Sequence, residues 1–135
     1  MMKNIYLLII VLLFPLSGFA QDASLYMKYA KKGDVDAQYN LAEIYYNGMG
    51  VPKDIKKAVN IYIEAVRHGH VQSQYKLGKH YEDNQDYDSA IYWYTIAMEN
   101  GEVQAQNNLA AMYLFGKGVP QDTDKAIELY TEMAD

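Results

Sequence analysis

The amino-acid sequence predicts an all-α protein in which antiparallel helix pairs stack as an αα superhelix. Three observations predict this class: a motif that recurs three times, apolar side chains at helical spacing within each copy, and glycine-containing turns between the apolar stretches. A sequence period of about 20–50 residues is typical of repeat proteins, in which each unit completes its core only against its neighbours. The repeat therefore decides the architecture.

The repeat begins with a six-residue motif, which reads GDVDAQ at residues 33–38, GHVQSQ at 69–74 and GEVQAQ at 101–106. The second copy starts 36 residues after the first, and the third starts 32 residues after the second. Four sets of equivalent side chains follow in the same register: Leu41, Leu77 and Leu109; Tyr45, Tyr81 and Tyr113; Ala58, Ala90 and Ala126; Tyr62, Tyr94 and Tyr130. We therefore predict repeats over 34–69, 70–101 and 102–135, preceded by a half-repeat helix over 21–33.

Each repeat is predicted to form two amphipathic helices. In the first repeat Leu41 and Tyr45 have the spacing of one helical face, and Ala58 and Tyr62 have that of a second. The strings GMGVPKD at 48–54 and GKGVPQD at 116–122 separate the helices, since glycine allows a helix to end and proline cannot continue it. Aspartates at matching positions are predicted N-caps, namely Asp34, Asp54, Asp86 and Asp122.

These residues resemble the Sel-1-like repeat, a relative of the tetratricopeptide repeat. The strings AQYNLA at 37–42 and GMGV at 48–51 carry the resemblance in the first repeat, and GKGV at 116–119 carries it in the third. The second repeat lacks the glycine loop and has the length of a tetratricopeptide unit. The resemblance implies that the first helix of each pair lines a concave groove for a protein or peptide.

That implied groove gives five candidate ligand-binding residues, which are polar side chains on the first helices: Asn40, Glu43, Lys76, Lys79 and Asn108. Three of them, Asn40, Lys76 and Asn108, occupy one register and would form a row. Neighbouring apolar side chains, among them Leu114 and Phe115, would add contact area. The asparagines also belong to the repeat consensus, so a purely structural role is the alternative.

The N-terminus has the pattern of a secretory signal peptide. Lys3 precedes an apolar run over residues 5–14, and Gly18 and Ala20 supply the small residues of a cleavage site before Gln21. The run is shorter than the roughly 20 residues of a membrane-spanning helix, so no retained membrane segment is expected. We predict signal-peptide cleavage between Ala20 and Gln21 and a periplasmic or secreted bacterial protein.

The chain has no cysteine and a formal net charge of -5, which exclude disulfide support and disfavour nucleic acid as a ligand.

Three local patterns suggest chemistry, but each has a simpler interpretation. Ser73 and Lys76 form an S-x-x-K string, yet Ser73 occupies the small-residue register of Ala37 and Ala105, which favours packing. Three histidines (His68, His70 and His80) lack a zinc-ligand spacing. Four acidic residues (Glu82, Asp83, Asp86 and Asp88) are interpreted as a solvated loop rather than a calcium site, because they lack the EF-hand spacing.

The sequence thus predicts an exported interaction scaffold without catalytic residues, metal or cofactor. Two alternatives stay open. The first is a hydrolase of cell-wall or β-lactam substrates, which only the family association suggests. The second is a homo-oligomer formed through the C-terminal end, where no capping helix follows the third repeat.

Overall fold

The computed structural model describes the backbone of residues 16–132 and the side chains of residues 22–132. Within that part of the chain it consists of seven α-helices and contains no strand. The helices are α1 (Leu16–Ala30), α2 (Val35–Asn47), α3 (Ile55–Arg67), α4 (Val71–Asp83), α5 (Tyr87–Glu99), α6 (Val103–Phe115) and α7 (Thr123–Glu132). The predicted all-α class with two helices per repeat is confirmed.

The helices group into two compact units, which divide between His68 and Gly69. In unit 1, α2 packs against both α1 and α3. In unit 2, α5 packs against α4 and α6, and α6 packs against α7. Helix α1 begins at Leu16 rather than at the predicted residue 21. The apolar run of the predicted signal peptide lies in residues 1–15, outside the described residues.

The helix ends follow the turn chemistry of the sequence. The four predicted N-cap aspartates each accept a hydrogen bond from the backbone N–H three residues later: Asp34 at 2.9 Å, Asp54 at 3.0 Å, Asp86 at 3.3 Å and Asp122 at 2.9 Å. Each bond satisfies a backbone donor that has no partner inside its helix. The side chains of His70 and Glu102 cap α4 and α6, which the sequence interpretation missed.

The turns between paired helices differ between repeats as the sequence predicts. Gly48 and Gly116 adopt left-handed conformations with φ of 67° and 65° at the ends of α2 and α6. In the shorter second repeat Asn84 ends α4, and Gln85 takes the positive φ, 61°, without the freedom of glycine. Repeat two therefore achieves its tight turn at a conformational cost that repeats one and three avoid.

The core of each unit surrounds one tyrosine of the repeated register. Tyr62 in unit 1 and Tyr94 in unit 2 are the largest fully buried side chains described. Small residues of the first helices allow this burial. At Gly78, a Cβ atom would lie only 2.5 Å from Cδ1 of Tyr94, so the ring fills the space that a side chain on α4 would need.

Candidate protein-binding surface

In unit 1 the buried tyrosine holds a carboxylate of the first helix in place. The hydroxyl of Tyr62 donates a hydrogen bond to the carboxylate of Glu43, which lies on α2. The rings of Tyr39 and Tyr46 flank Tyr62, with centroids 6.1 and 6.3 Å from its ring. Burial, and then the bond to Glu43, raise the pKa of Tyr62 above its ordinary value, so the phenol remains a donor.

In unit 2 the equivalent tyrosine joins two first helices. The Tyr94 hydroxyl donates to Oε2 of Glu82 on α4 at 2.7 Å and accepts from Nδ2 of Asn108 on α6 at 2.9 Å. Burial raises the pKa of Tyr94, the bond to Glu82 raises it further, and the bond from Asn108 opposes the rise. Nζ of Lys117 lies 3.4 Å from Oε1 of Glu82. Glu82 is therefore fixed from both sides.

The five predicted binding residues lie on the first helices but differ in exposure and in their contacts. Asn40, Glu43, Lys76 and Asn108 are half-buried, and Lys79 is exposed. Glu43 and Asn108 bond to the buried tyrosines, as described above. Nζ of Lys79 lies 2.9 Å from Oδ1 of Asp83, and that hydrogen bond raises the pKa of the lysine. The asparagine at position 108 thus has a structural function, whether or not it also contacts a ligand.

An exposed aromatic side chain lies close in the chain to the lysine that pairs with the fixed carboxylate. Phe115, the last residue of α6, is 69% exposed, and Lys117, which pairs with Glu82, follows two residues later. We name the surface formed by Lys79, Glu82, Phe115 and Lys117 the α4–α6 edge. It combines an apolar side chain with charges of both signs. Such a combination suits a peptide better than a uniformly charged ligand.

The structure corrects the predicted acidic loop. Glu82 and Asp83 lie in the last turn of α4, Asp86 caps α5 and Asp88 is in the first turn of α5. The side chain of Glu82 is only 18% exposed. α4 has 13 residues, as α2 and α6 do, so Glu82 and Asp83 occupy the register of the last turn in those helices. A buried tyrosine hydroxyl needs a partner, and this requirement at Tyr94 was the signal that would have identified Glu82.

The S-x-x-K string is not arranged for attack on a substrate. Ser73 is 0% exposed, and its Oγ lies 2.9 Å from Nδ1 of His70. The same histidine nitrogen accepts the backbone N–H of Ser73 at 3.2 Å, so the pair belongs to the N-cap of α4. This geometry supports the packing interpretation of Ser73.

The histidines have separate surroundings. His68 approaches Glu64 at 3.6 Å, whereas His80 stacks edge-on against Tyr81. Across the side chains that the structure describes, no three histidine, cysteine, aspartate or glutamate residues are placed to hold a metal ion. Among the described helices, none is long and apolar enough to cross a membrane.

Comparison with known protein families identifies the repeat. Residues 35–70, 71–102 and 103–135 each match the Sel1 repeat family model. The chain belongs to the Sel1 repeat family. This confirms the resemblance found in the sequence. The matched segments begin one residue later than the repeats predicted from the GxVxxQ motif.

Solved Sel1 structures share the fold. A Sel1 repeat protein from Oxalobacter formigenes aligns with a TM-score of 0.75 at 29% identity, covering 81% of this chain and 46% of its own. A protective antigen of uropathogenic Escherichia coli with an SLR fold gives 0.74 at 32% identity, covering 83% and 25%. The predicted αα-superhelix class is confirmed.

Curated relatives are much longer proteins. The chitin synthase regulator of Saccharomyces cerevisiae is 38% identical over 87 residues, which are 59% of this chain and 12% of that protein. Mouse protein sel-1 homolog 2 is 28% identical over 116 residues, which are 83% of this chain and 17% of that protein. The chain thus spans less than a fifth of each of these two relatives.

Proposed function

We propose that this Sel1 repeat protein is an exported scaffold that binds a protein or peptide through the first helices of its repeats. Sel1 repeats generally mediate protein–protein interactions, which supports the class of function. The observation that carries the finer proposal is the α4–α6 edge, where Phe115 is 69% exposed two residues before Lys117, the partner of the fixed carboxylate of Glu82. Large exposed aromatic side chains next to rigid polar groups are typical of interaction surfaces.

The chemistry of this edge defines the kind of peptide that it would bind. An apolar side chain of the peptide would cover Phe115, and a backbone N–H or a cationic side chain would bond to Glu82. Lys79 would approach a carbonyl or carboxylate, because its hydrogen bond with Asp83 keeps it charged. Since the Tyr94 hydroxyl already orients Glu82, little conformational entropy would be lost on binding.

The exported location is part of the proposal and rests on residues 1–20. The intact mass of the protein recovered from the envelope or the medium would test it. We expect an N-terminus at Gln21, and a recovered chain that retains Met1 would contradict export by cleavage.

Site-specific photocrosslinking tests the binding surface. A photoreactive phenylalanine analogue at position 115 reports on the α4–α6 edge. The matched control carries the same group at position 92, since Tyr92 is also exposed, at 59%, but lies on the second helix α5. We expect crosslinks to a protein from the native envelope at position 115, lost or reduced when Lys79 is replaced by glutamate.

The other outcomes discriminate between functions. Crosslinks at position 92 alone would contradict the proposed surface while leaving a scaffold function intact. Crosslinks only between copies of this chain would favour the homo-oligomer. No crosslink at either position, with the protein folded and abundant, would count against a protein-binding function.

A further inference from the structure

Unit 1 contains a pocket that the proposed protein-binding surface does not use. Its volume is about 500 Å³, within the range of roughly 300–1,000 Å³ that is typical of small-molecule sites. Three helices contribute its apolar side chains: Met27 and Ala30 from α1, Leu41 from α2 and Ile61 from α3. None of the described residues that line it is aromatic. The interior therefore suits an aliphatic chain, around which the flexible Met27 side chain can pack.

Two lysines at the entrance of the pocket lack a carboxylate partner. Lys31 and Lys57 both line the pocket and are exposed. Within the described part of the chain, the side chain of Lys31 makes no hydrogen bond or ion pair. Nζ of Lys57 donates a hydrogen bond to the Tyr45 hydroxyl at 2.9 Å and lies 4.1 Å from the centre of that ring. Because an ammonium group has three donors, both lysines can still bond to a carboxylate.

The acidic side chain that lines the pocket does not neutralise these lysines. Oε2 of Glu64 lies 3.0 Å from Nη1 of Arg67, and its Oε1 lies 3.6 Å from Nε2 of His68. Both carboxylate oxygens thus have other partners, at the end of α3. The remaining polar side chain at the entrance is Asn60, which is exposed and supplies an amide donor.

The equivalent place in unit 2 carries the opposite charge. In the register of the repeats, Asn60 corresponds to Glu128, which pairs with Lys125 at 3.0 Å. Lys31 corresponds to Glu99. The first repeat therefore lacks the carboxylate that pairs with the lysine of this register in unit 2. It also has a second cation where unit 2 has an acid.

The same comparison explains why the pocket is open. Ala30 corresponds to Val66 before the second repeat and to Met98 before the third. Met98 packs against the core of unit 2. Alanine leaves space that either of the larger side chains would fill. An open apolar space and two cations without a carboxylate thus occur at one place, although they arise from substitutions at different positions.

We propose that this pocket binds an aliphatic carboxylate, such as the anion of a medium-chain fatty acid. The chain would contact Met27, Leu41 and Ile61, and the carboxylate would accept hydrogen bonds from Lys31 and Lys57 at the entrance. Such charge-assisted hydrogen bonds are roughly twice as strong as neutral ones. The chain has a formal net charge of -5 and repels anions elsewhere, so these local cations decide where the carboxylate binds.

Probes that share an aliphatic chain but differ in the charge of the head group test this proposal: octanoate, octanol and octyltrimethylammonium. Titration of the purified chain is followed by NMR shifts of the methionine methyl groups. Met27 reports on the pocket, and Met112, which is buried in unit 2, is the reference. Octanoate should bind about tenfold more tightly than octanol, because only the carboxylate forms charge-assisted bonds. The cationic probe should bind most weakly.

A charge reversal at the entrance tests the role of the lysines. Lys31→Glu introduces the residue type found at the equivalent position of unit 2. It should weaken octanoate binding by about tenfold or more and change octanol binding by less than about twofold. The matched control is Lys56→Glu, which makes the same charge change at an exposed residue of α3 that does not line the pocket. Because salt screens distant charges, this control should weaken octanoate binding by no more than about threefold.

A larger side chain at position 30 tests the apolar space. Ala30→Met should weaken the binding of octanoate and octanol alike, by about tenfold or more, because the side chain occupies the place of the aliphatic chain. Circular dichroism checks that the variant is folded. If it unfolds, Ala30→Val introduces the residue of the second register and should weaken both probes to a smaller extent.

The length of the aliphatic chain separates a fatty acid from the C-terminal residue of a peptide. From hexanoate to decanoate, each added CH₂ group should raise the affinity by about threefold until the pocket is full. Tighter binding of a short peptide that ends in leucine than of octanoate would overturn the assignment to a fatty acid. Octanol that binds as tightly as octanoate, an unchanged octanoate affinity in Lys31→Glu, or full binding in folded Ala30→Met would overturn the proposal as a whole.

Discussion

The replacement of Gly78 by alanine tests how closely α4 and α5 approach each other. Alanine is the better helix former, so local propensity alone predicts a stabilisation of about 0.5–1 kcal/mol. The structure predicts the opposite. A Cβ at this position would lie 2.5 and 2.6 Å from Cδ1 and Cε1 of Tyr94, whereas carbon atoms in favourable contact are about 3.5–4.0 Å apart.

The ring cannot move away without losing other interactions. Tyr94 is 0% exposed, and its hydroxyl is held at 2.7 Å from Glu82 and 2.9 Å from Asn108. A shift of about 1 Å would lengthen both hydrogen bonds beyond their useful range. Overpacking typically costs about 1–3 kcal/mol, and a weakened hydrogen bond adds roughly 1 kcal/mol. After the helix propensity is subtracted, we expect a net destabilisation of about 1–3 kcal/mol.

Urea unfolding followed by circular dichroism measures this change, and the Tm should fall by roughly 5–15 °C. The control is Ala110→Gly, at the equivalent position of α6. It measures the effect on stability of helix propensity and of the lost methyl group, without a clash against a tyrosine ring. In a Tyr94→Leu background the alanine at position 78 should become neutral or stabilising, because the ring is gone. A Gly78→Ala variant that is more stable than the unmodified chain would refute the close approach.

Three further predictions concern the buried tyrosines and the short turn. Tyr94→Phe should lower the free energy of unfolding in urea by about 2–4 kcal/mol, because the charged carboxylate of Glu82 loses a hydrogen-bond donor. Tyr130→Phe, at an exposed site of the same register, should change it by under about 0.5 kcal/mol. The free energy of unfolding should fall as the pH rises above 10, by about 1.4 kcal/mol per pH unit for each of Tyr62 and Tyr94. Their raised pKa values keep both phenols protonated in the folded state, whereas the same phenols ionise with a pKa of 10.0 in the unfolded state. The Tyr62→Phe and Tyr94→Phe variants should each lose their share of this slope. Gln85→Gly should stabilise the protein by about 1 kcal/mol, because φ of residue 85 is 61°, and Gln85→Ala should not. Equal urea midpoints for the two variants would contradict the strained turn.

The helices and their ends were predictable because they depend on local chemistry. The spacing of Leu41 and Tyr45 defines one face of α2 without knowledge of its neighbours. Asp54 caps α3 through a bond to a backbone group only three residues away. The Sel1 family assignment also follows from the sequence, because the repeated strings carry it.

The proposed binding surface was only partly predictable. Lys79 and Phe115 were identified from their helix positions, and both are exposed. Glu82 was misplaced into a loop, because its partner Tyr94 is twelve positions away in the chain and on another helix. Sequence spacing within one helix carries no information about such a contact between helices.

The sequence by itself determined the repeat, the all-α class and the turn chemistry, since each rests on interactions between residues close in the chain. Only the tertiary structure decided which polar groups meet and which space stays open. The Tyr94 hydroxyl joins α4 to α6, and side chains of three helices bound a pocket in unit 1. Both depend on the distance between helices, which packing sets and the repeat pattern does not encode.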